Sequence, residues 1–329
     1  MDEEDMERTA ALHETKGTPE DKWRVVAYQK MLGPIRAHPK RIESEEEARG
    51  IRGVGDKTAK KIMEIIRTGG LRRISYERTE DVQTVIAFQG IYGVGQKTAY
   101  QWYANGCRSL SDVRAGKFGV KLSSAQRIGL KFYSDIKSRM PRNEAKEIFG
   151  FIKTIALQMD PHLYIEIMGS YRRGKDTCGD IDILITRPTS DGKTHVGILA
   201  RLIDELHARN VITEHLTVPE KWDDLELVYR GLCRRGALGK RRRIDFLTVP
   251  YASRGAALLY YTFNRSMRLK ANKMGYSLNQ RGLYKDVIRD PSNRQKKIHN
   301  GTLMASETER EIFDILGVPW QEPHERVRS

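Results

Sequence analysis

Two aspartates one residue apart, Asp180 and Asp182, lie in the run Gly179-Asp180-Ile181-Asp182-Ile183-Leu184-Ile185. The apolar residues around them predict a strand. Strand side chains alternate faces, so both carboxylates share one face while Ile181, Ile183 and Ile185 turn toward a core. Two such carboxylates repel unless a cation lies between them. A third acid is available at Asp245, in the strand-like Arg243-Ile244-Asp245-Phe246-Leu247. Mg²⁺ takes hard oxygen ligands, commonly one or two carboxylates plus substrate phosphates. Three acids can carry two such ions, Mg²⁺ or Mn²⁺, for in-line phosphoryl transfer. A D-x-D pair alone suits a solvated strand face equally well. The phosphoryl-transfer reading gains from a turn upstream, Gly169-Ser170-Tyr171-Arg172-Arg173-Gly174. There backbone N–H groups and the Ser170 hydroxyl can face a phosphate. Arg173 adds a planar, permanently charged donor for a leaving pyrophosphate.

The elements that must position these residues are legible around them. Strands are expected at Tyr164 to Met168, Ile181 to Thr186, Glu226 to Leu232 and Arg243 to Val249, with a helix around Gly197 to Leu206. Between the last two strands, Arg234-Arg235 and Lys240-Arg241-Arg242-Arg243 form a basic stretch. It reads as a hairpin loop near a polyanion or as a nuclear import signal. Residues 251–329 open on a helix rich in Ala, Leu and Tyr and continue in short mixed elements.

The first half carries a repeat. Gly53-Val54-Gly55-Asp56-Lys57-Thr58-Ala59 recurs forty positions later as Gly93-Val94-Gly95-Gln96-Lys97-Thr98-Ala99. After the first copy Ala59, Ile62, Met63 and Ile66 fall at helical spacing; after the second, Ala99, Trp102 and Tyr103 do. Glycines between two helices permit a tight hairpin, and the next helix starts with unpaired backbone N–H groups. Such donors grip a phosphate without reading a base. This is the helix-hairpin-helix pattern, and two copies with matching flanks point to backbone binding more strongly than one. Lys121 to Arg127 reads as a capped helix start, and Met140-Pro141 as a boundary.

Composition agrees with a polyanionic partner. The 329 residues carry 58 Lys and Arg against 43 Asp and Glu, a formal net charge of +15. Nucleic acid is the leading partner for so basic a chain. Cys107, Cys178 and Cys233 are scattered, with no CxxC or Cys/His cluster, which suggests neither zinc nor a disulfide framework. No apolar run approaches the roughly 20 residues that cross a bilayer. The acidic start Met1-Asp2-Glu3-Glu4-Asp5 is not a secretory or transit signal. The expectation is a nuclear or cytosolic protein with no membrane partner.

With both halves read, the chain resembles the family X DNA polymerases. The motifs that carry the resemblance are the two helix-hairpin-helix repeats, MGSYRRGKDTCGDIDILIT, RRIDFLTVPY and FNRSMR, over a span from about Tyr28 to Pro323. The fold class implied is α+β: a helical half with the two repeats, a nucleotidyltransferase palm with a mixed sheet, and a small α+β C-terminal subdomain. The implied division is an acidic tail at 1–9, a lyase-like helical domain at 10–78, a DNA-binding subdomain at 79–140, the palm at 141–250 and a nucleotide-selection subdomain at 251–329. The implied activity is template-directed filling of short gaps in DNA repair, in base excision repair or end joining, in the nucleus. The implied partners are gapped or nicked duplex DNA and deoxynucleoside triphosphates, with the enzyme a monomer.

By position, Asp180, Asp182 and Asp245 match the family's metal-binding aspartates. Arg139, Ser170, Arg173 and Gly179 match triphosphate contacts. Tyr260 and Tyr261 match the aromatic pair beside the incoming nucleotide, Asn264 a contact to its minor-groove edge, and Arg268 a template contact. Gly53, Gly55, Lys57, Gly93 and Gly95 fall in the DNA-gripping hairpins, where carbonyls near Gly93 and Val94 would hold a monovalent cation. Lys61 matches the nucleophile of a 5′-deoxyribose-phosphate lyase. Lys57 and Lys61 share a helical face, as they also would on an ordinary DNA-facing helix.

Two features depart from the family. Members usually read YFTGS and two further residues before FN, whereas Tyr260-Tyr261-Thr262 here runs straight into Phe263-Asn264, four residues fewer. Lys60 precedes Lys61 where an acid is usual. The segment from Thr217 to Val228 is short, which favours template-directed synthesis, and Trp222 within it reads as a packing residue. Two other readings stay open: a nucleotidyltransferase acting on non-DNA acceptors, and a catalytically weak scaffold that binds DNA ends.

Overall fold

The computed structural model describes residues 34–35, 38–68, 80–262, 265–293 and 297–326. The acidic tail at 1–9 and Asn264 lie outside the described residues. The chain divides into two compact units, one through Leu130 and one from Lys131.

In the first unit each repeat forms helix, hairpin, helix. The first runs through α1 (Glu45–Gly50) and α2 (Asp56–Thr68), the second through α3 (Glu80–Gln89) and α4 (Gln96–Ala104). The two hairpins share hydrogen bonds at matching positions. Val54 N–H donates to the Ile51 carbonyl at 3.0 Å, as Val94 does to Ile91 at 3.0 Å. Ala59 donates to Gly55 at 2.9 Å, as Ala99 does to Gly95 at 3.0 Å. Gly53 and Gly93 hold φ of +89° and +79°, the left-handed region that side chains resist. The apolar stripe of α2 buries Ala59, Ile62, Met63 and Ile65, with Ile66 only packed at its edge. Both isoleucines flank the stripe started by Ile62, and the deeper place goes to the i+3 neighbour rather than the expected i+4.

A short helix α5 (Leu110–Arg114) follows. Then α6 (Ser124–Lys131) starts with a reciprocal cap between Ser123 and Gln126: Gln126 N–H donates to Ser123 Oγ at 3.2 Å and Ser123 N–H to Gln126 Oε1 at 3.0 Å.

In the second unit a five-stranded sheet has the order β2-β4-β7-β6-β5. Its strands are β2 (Tyr164–Ile167), β4 (Ile181–Thr186), β5 (Ile212–Thr217), β6 (Val228–Cys233) and β7 (Arg242–Thr248). A small pair, β1 (Met140–Pro141) with β3 (Thr177–Cys178), lies apart from it. Only β4 and β7 run parallel, which makes the sheet mixed. A parallel pair needs a long crossover, here supplied by α10 (Ile198–Ala208) and the two strands after it.

Alternation then sorts the side chains. Ile181, Ile183, Ile185, Ile244, Phe246 and Tyr229 pack against α10 and α8 (Arg142–Met159), with Trp222 at the margin. The opposite face carries Leu184, Leu247 and the acids, and is partly covered by Ala257 and Leu258 of α11 (Arg254–Thr262). The basic stretch between β6 and β7 is a hairpin connection, but Arg242 turns inward, 6% exposed, onto Glu144 at 2.7 Å.

The C-terminal part joins α11 and α12 (Arg265–Lys273) to the three-stranded sheet β12-β9-β8 and to α13 (Glu309–Ile315). These strands are β8 (Tyr276–Asn279), β9 (Gly282–Lys285) and β12 (Thr302–Ala305). Leu259, Met267, Leu278, Leu283, Ile312 and Phe313 form the core of this part.

Candidate active site

Strand register brings the acids together. Asp182 on β4 is the direct parallel partner of Asp245 on β7. Asp180 enters the same face two residues earlier. The register thus sets the three acids on one face of the sheet. Among the described residues, no three acid, imidazole or thiol groups close on one point as a finished metal cage. The gap between two of the acids is bridged instead by Arg243, whose Nη2 lies 3.2 Å from Asp180 Oδ2 and 3.1 Å from Asp245 Oδ2. Arg230, the register partner of Asp245 on β6, places Nε 3.2 Å from the same Oδ2. The other oxygen, Asp245 Oδ1, is buried with no hydrogen-bond partner.

The electrostatics follow from that crowding. Burial, then the charges of Asp180 and Asp245, push the Asp182 carboxyl up to about 7. Burial also raises Asp245, against the opposing pull of Arg243. Half-buried, mutually repelling hard-oxygen donors with one buried, unpartnered oxygen fit a divalent cation: it would neutralise the repulsion and satisfy the orphan.

The turn before β4 is shaped to Asp182. A four-residue helix, α9 (Gly169–Arg172), starts at Gly169, whose φ is +61°. A Cβ there would sit 2.4 Å from Asp182 Oδ2. Gly169 therefore lets backbone and carboxylate approach where no side chain fits. Substituting Gly169→Ala is expected to displace the Asp182 carboxylate and to slow any reaction that depends on it about 100-fold. Single-turnover rates with a folded variant check this.

The remaining predicted residues gather unevenly. Tyr261 lines one cleft with Met168, Asp182, Val228, Arg230 and Asp245. Burial pushes its phenol up to about 12, so it stays neutral. Tyr260 packs edge-on against Tyr261 at 5.2 Å, and the Arg268 guanidinium lies 5.5 Å from the Tyr260 ring centre. Arg139 donates to the Thr177 hydroxyl at 2.7 Å and to its carbonyl at 2.6 Å, beside Gly179. Arg173 donates to the Thr262 carbonyl at 2.9 Å, at the C-terminus of α11. Ser170 is half-buried on α9. In the first unit Lys57 is exposed and Lys61 half-buried on α2, and the Gly93 carbonyl accepts from Gln126 Nε2 at 2.9 Å.

Sequence reading did not assign Arg243 and Arg230 to this site. Arg243 was within reach, because it stands two residues from Asp245 on the same strand. Arg230 was not, because only the pairing of β6 with β7 sets it opposite Asp245.

Residues 139–251 match the family model of the DNA polymerase beta palm, and 257–327 that of the DNA polymerase beta thumb. Residues 87–137 match the fingers domain of DNA polymerase lambda, and 4–71 a helix-hairpin-helix domain. The chain is 39% identical over 328 residues to DNA polymerase lambda of Rattus norvegicus, covering 98% of this chain and 55% of that protein. It is 37% identical over 313 residues to DNA polymerase lambda of Arabidopsis thaliana, covering 92% of this chain and 58% of that one. The chain thus spans a little over half the length of these relatives.

Proposed function

From the premise that this chain belongs to the family X DNA polymerases, we propose that it is a template-directed polymerase that fills short gaps in DNA. The observation that supports this most directly is the in-register pair Asp182 and Asp245, with Asp180 on the same face and one oxygen of Asp245 buried and unpartnered. Family X polymerases use divalent metal ions. In this reading Asp180, Asp182 and Asp245 hold two of them, Mg²⁺ or Mn²⁺. When bound, the ions lower the pKa of the primer 3′-hydroxyl and offset charge on the triphosphate.

The chain's own residues do the rest. Asp245 receives or orients the hydroxyl proton. Ser170, Arg173, Gly179 and Arg139 hold the triphosphate, so Arg173 exchanges the Thr262 carbonyl for a phosphate. Tyr260 and Tyr261 pack beside the sugar and base, Asn264 meets the minor-groove edge and Arg268 the template. The hairpins at Gly53, Gly55, Lys57, Gly93 and Gly95 grip the duplex backbone. A monovalent cation at the Gly93 and Val94 carbonyls is compatible with Gln126, because a carbonyl oxygen has two lone pairs.

The same reading gives Lys61 the lyase role: its neutral amine condenses with the C1′ aldehyde with loss of water, and loss of a C2′ proton then breaks the C3′–O bond and releases the DNA strand with its 5′-phosphate. The division into 10–78, 79–140, 141–250 and 251–329, a nuclear site of action and a monomeric state belong to it too. Among the described residues no helix is long and apolar enough to cross a membrane.

The test is acceptor choice. A one-nucleotide gapped DNA duplex, a single-stranded DNA and an RNA primer are offered with deoxy- and ribonucleoside triphosphates. The expected result is templated addition of a deoxynucleotide to the gap. Preference for RNA, or untemplated addition to single strands, contradicts it. Tight gap binding without any addition, even with Mn²⁺, would leave a DNA-end scaffold.

A further inference from the structure

The acidic face is matched by an opposing set of guanidiniums. Arg243 and Arg230 contact Asp245, and the charges of Arg243 and Arg173 act on Asp182. Three cations therefore face three carboxylates, and a bare divalent ion meets little net negative charge. Arg230 differs from the other two in where it comes from. Arg243 bridges Asp180 and Asp245 from within β7, and Arg173 is tied to Thr262. Arg230 reaches across from β6 and also lines the cleft shared with Asp182 and Tyr261. Its side chain is 40% exposed while Asp245 is 17% exposed. The Arg230 side chain is thus more open to solvent than the carboxylate it contacts.

We propose that Arg230 is a counter-ion that holds the divalent-ion affinity of the triad low until a polyanionic nucleotide arrives. The proposal rests on the assignment of the three aspartates as metal ligands. Two effects of the Arg230–Asp245 contact compete. As a hydrogen bond it orients the carboxylate, which favours metal binding modestly. As a positive charge beside a ligand oxygen it repels a dication, and at this separation the Coulomb effect is larger. A nucleoside triphosphate reverses the balance. Its phosphates offer the guanidinium a new partner and bring the metal with them, so Arg230 passes from competitor to phosphate contact without leaving the cleft.

The experiment counts free Mn²⁺ by electron paramagnetic resonance during titration of four proteins: wild type, Arg230→Leu, Arg230→Lys and Asp245→Ala. Each is measured with and without a non-hydrolysable deoxynucleoside triphosphate. Circular dichroism selects folded samples. Without nucleotide, Arg230→Leu is expected to bind Mn²⁺ about tenfold more tightly than wild type. Arg230→Lys, which keeps the charge, is expected to bind as wild type. With nucleotide the advantage of Arg230→Leu shrinks to about twofold or less, as the displaced charge no longer opposes the ion. Unchanged or weaker nucleotide-free binding in Arg230→Leu overturns the proposal. If that occurs while Asp245→Ala loses Mn²⁺, the triad assignment stands and only the role of Arg230 fails. If Asp245→Ala binds Mn²⁺ as wild type does, the triad assignment itself fails.

Discussion

Replacing Asp182 with asparagine is expected to abolish nucleotide incorporation and, without divalent ions, to make the protein more stable. The two outcomes share one cause. Asp182 is sunk into the sheet face beside Asp180 and Asp245, so folding forces an unfavourable charge into place, and its carboxyl is raised to about 7. An acid raised in the folded state binds more protons folded than unfolded across the window from its ordinary range up to about 7. Stability therefore falls as pH rises through that window and stays low above it. Asparagine removes the penalty without changing shape. At about pH 8 in EDTA the gain is on the order of 2–4 kcal/mol, and below about pH 4 it vanishes. Catalysis moves the other way: a neutral amide cannot offset a dication, and the rate is expected to drop at least 1000-fold. Thermal melts over a pH series, with single-turnover assays on the same samples, check both. A variant no more stable than wild type at about pH 8 would show that the three acids do not burden the fold.

The second large effect concerns the C-terminal part. Glu309 on α13 is 7% exposed and takes both guanidinium nitrogens of Arg172, at 2.9 and 2.7 Å, from α9. It also accepts from Arg326 at 2.6 Å. Arg326 is 1% exposed and lies 5.2 Å from the Phe313 ring centre and 4.9 Å from that of Trp320. Substituting Glu309→Gln keeps the volume but leaves buried Arg326 without its carboxylate, and half-buried Arg172 with only the charge of Glu166 nearby. The expected loss is about 3–5 kcal/mol, read as a lower urea midpoint for the unit from Lys131. Replacing Glu309, Arg172 and Arg326 together by methionine is expected to restore most of it, because the desolvation penalty disappears with the charges. Equal loss in the single and triple variants would mean that packing, not charge, sets the cost. Arg172 adjoins Arg173 on the turn that carries Gly169, so the same contact also braces the residues around the acids.

What could be read from sequence followed short-range periodicity. The β4 strand was legible from Ile181 to Thr186 because isoleucines and aspartates alternate, and the same parity put both acids on one face. The hairpin repeats were legible because their glycines and flanking apolar residues recur at one spacing. Cross-strand relations were not. Nothing within β6 says that Arg230 faces Asp245, because register is fixed between strands and each strand alone is consistent with several. Arg242 read as one more member of a basic run. It is buried on Glu144, 98 residues away, and only the packing of α8 against the sheet creates that partner. Arg172 and Glu309 are 137 residues apart, and neither sequence neighbourhood hints at the other. Gln126 was legible as part of a helix start, but its reach to the Gly93 carbonyl depends on α6 lying against the second hairpin. There Gly129 leaves no room for a Cβ, which would meet Tyr92 at 2.8 Å.

The most direct measurement is single-turnover incorporation into a one-nucleotide gap by wild type and by Asp245→Ala, with Mg²⁺ and again with Mn²⁺. If the aspartates hold the reacting ions, wild type adds the templated deoxynucleotide and the variant adds essentially none with either metal, while still binding the gapped duplex. Extension by Asp245→Ala at a rate near that of wild type would contradict the assignment.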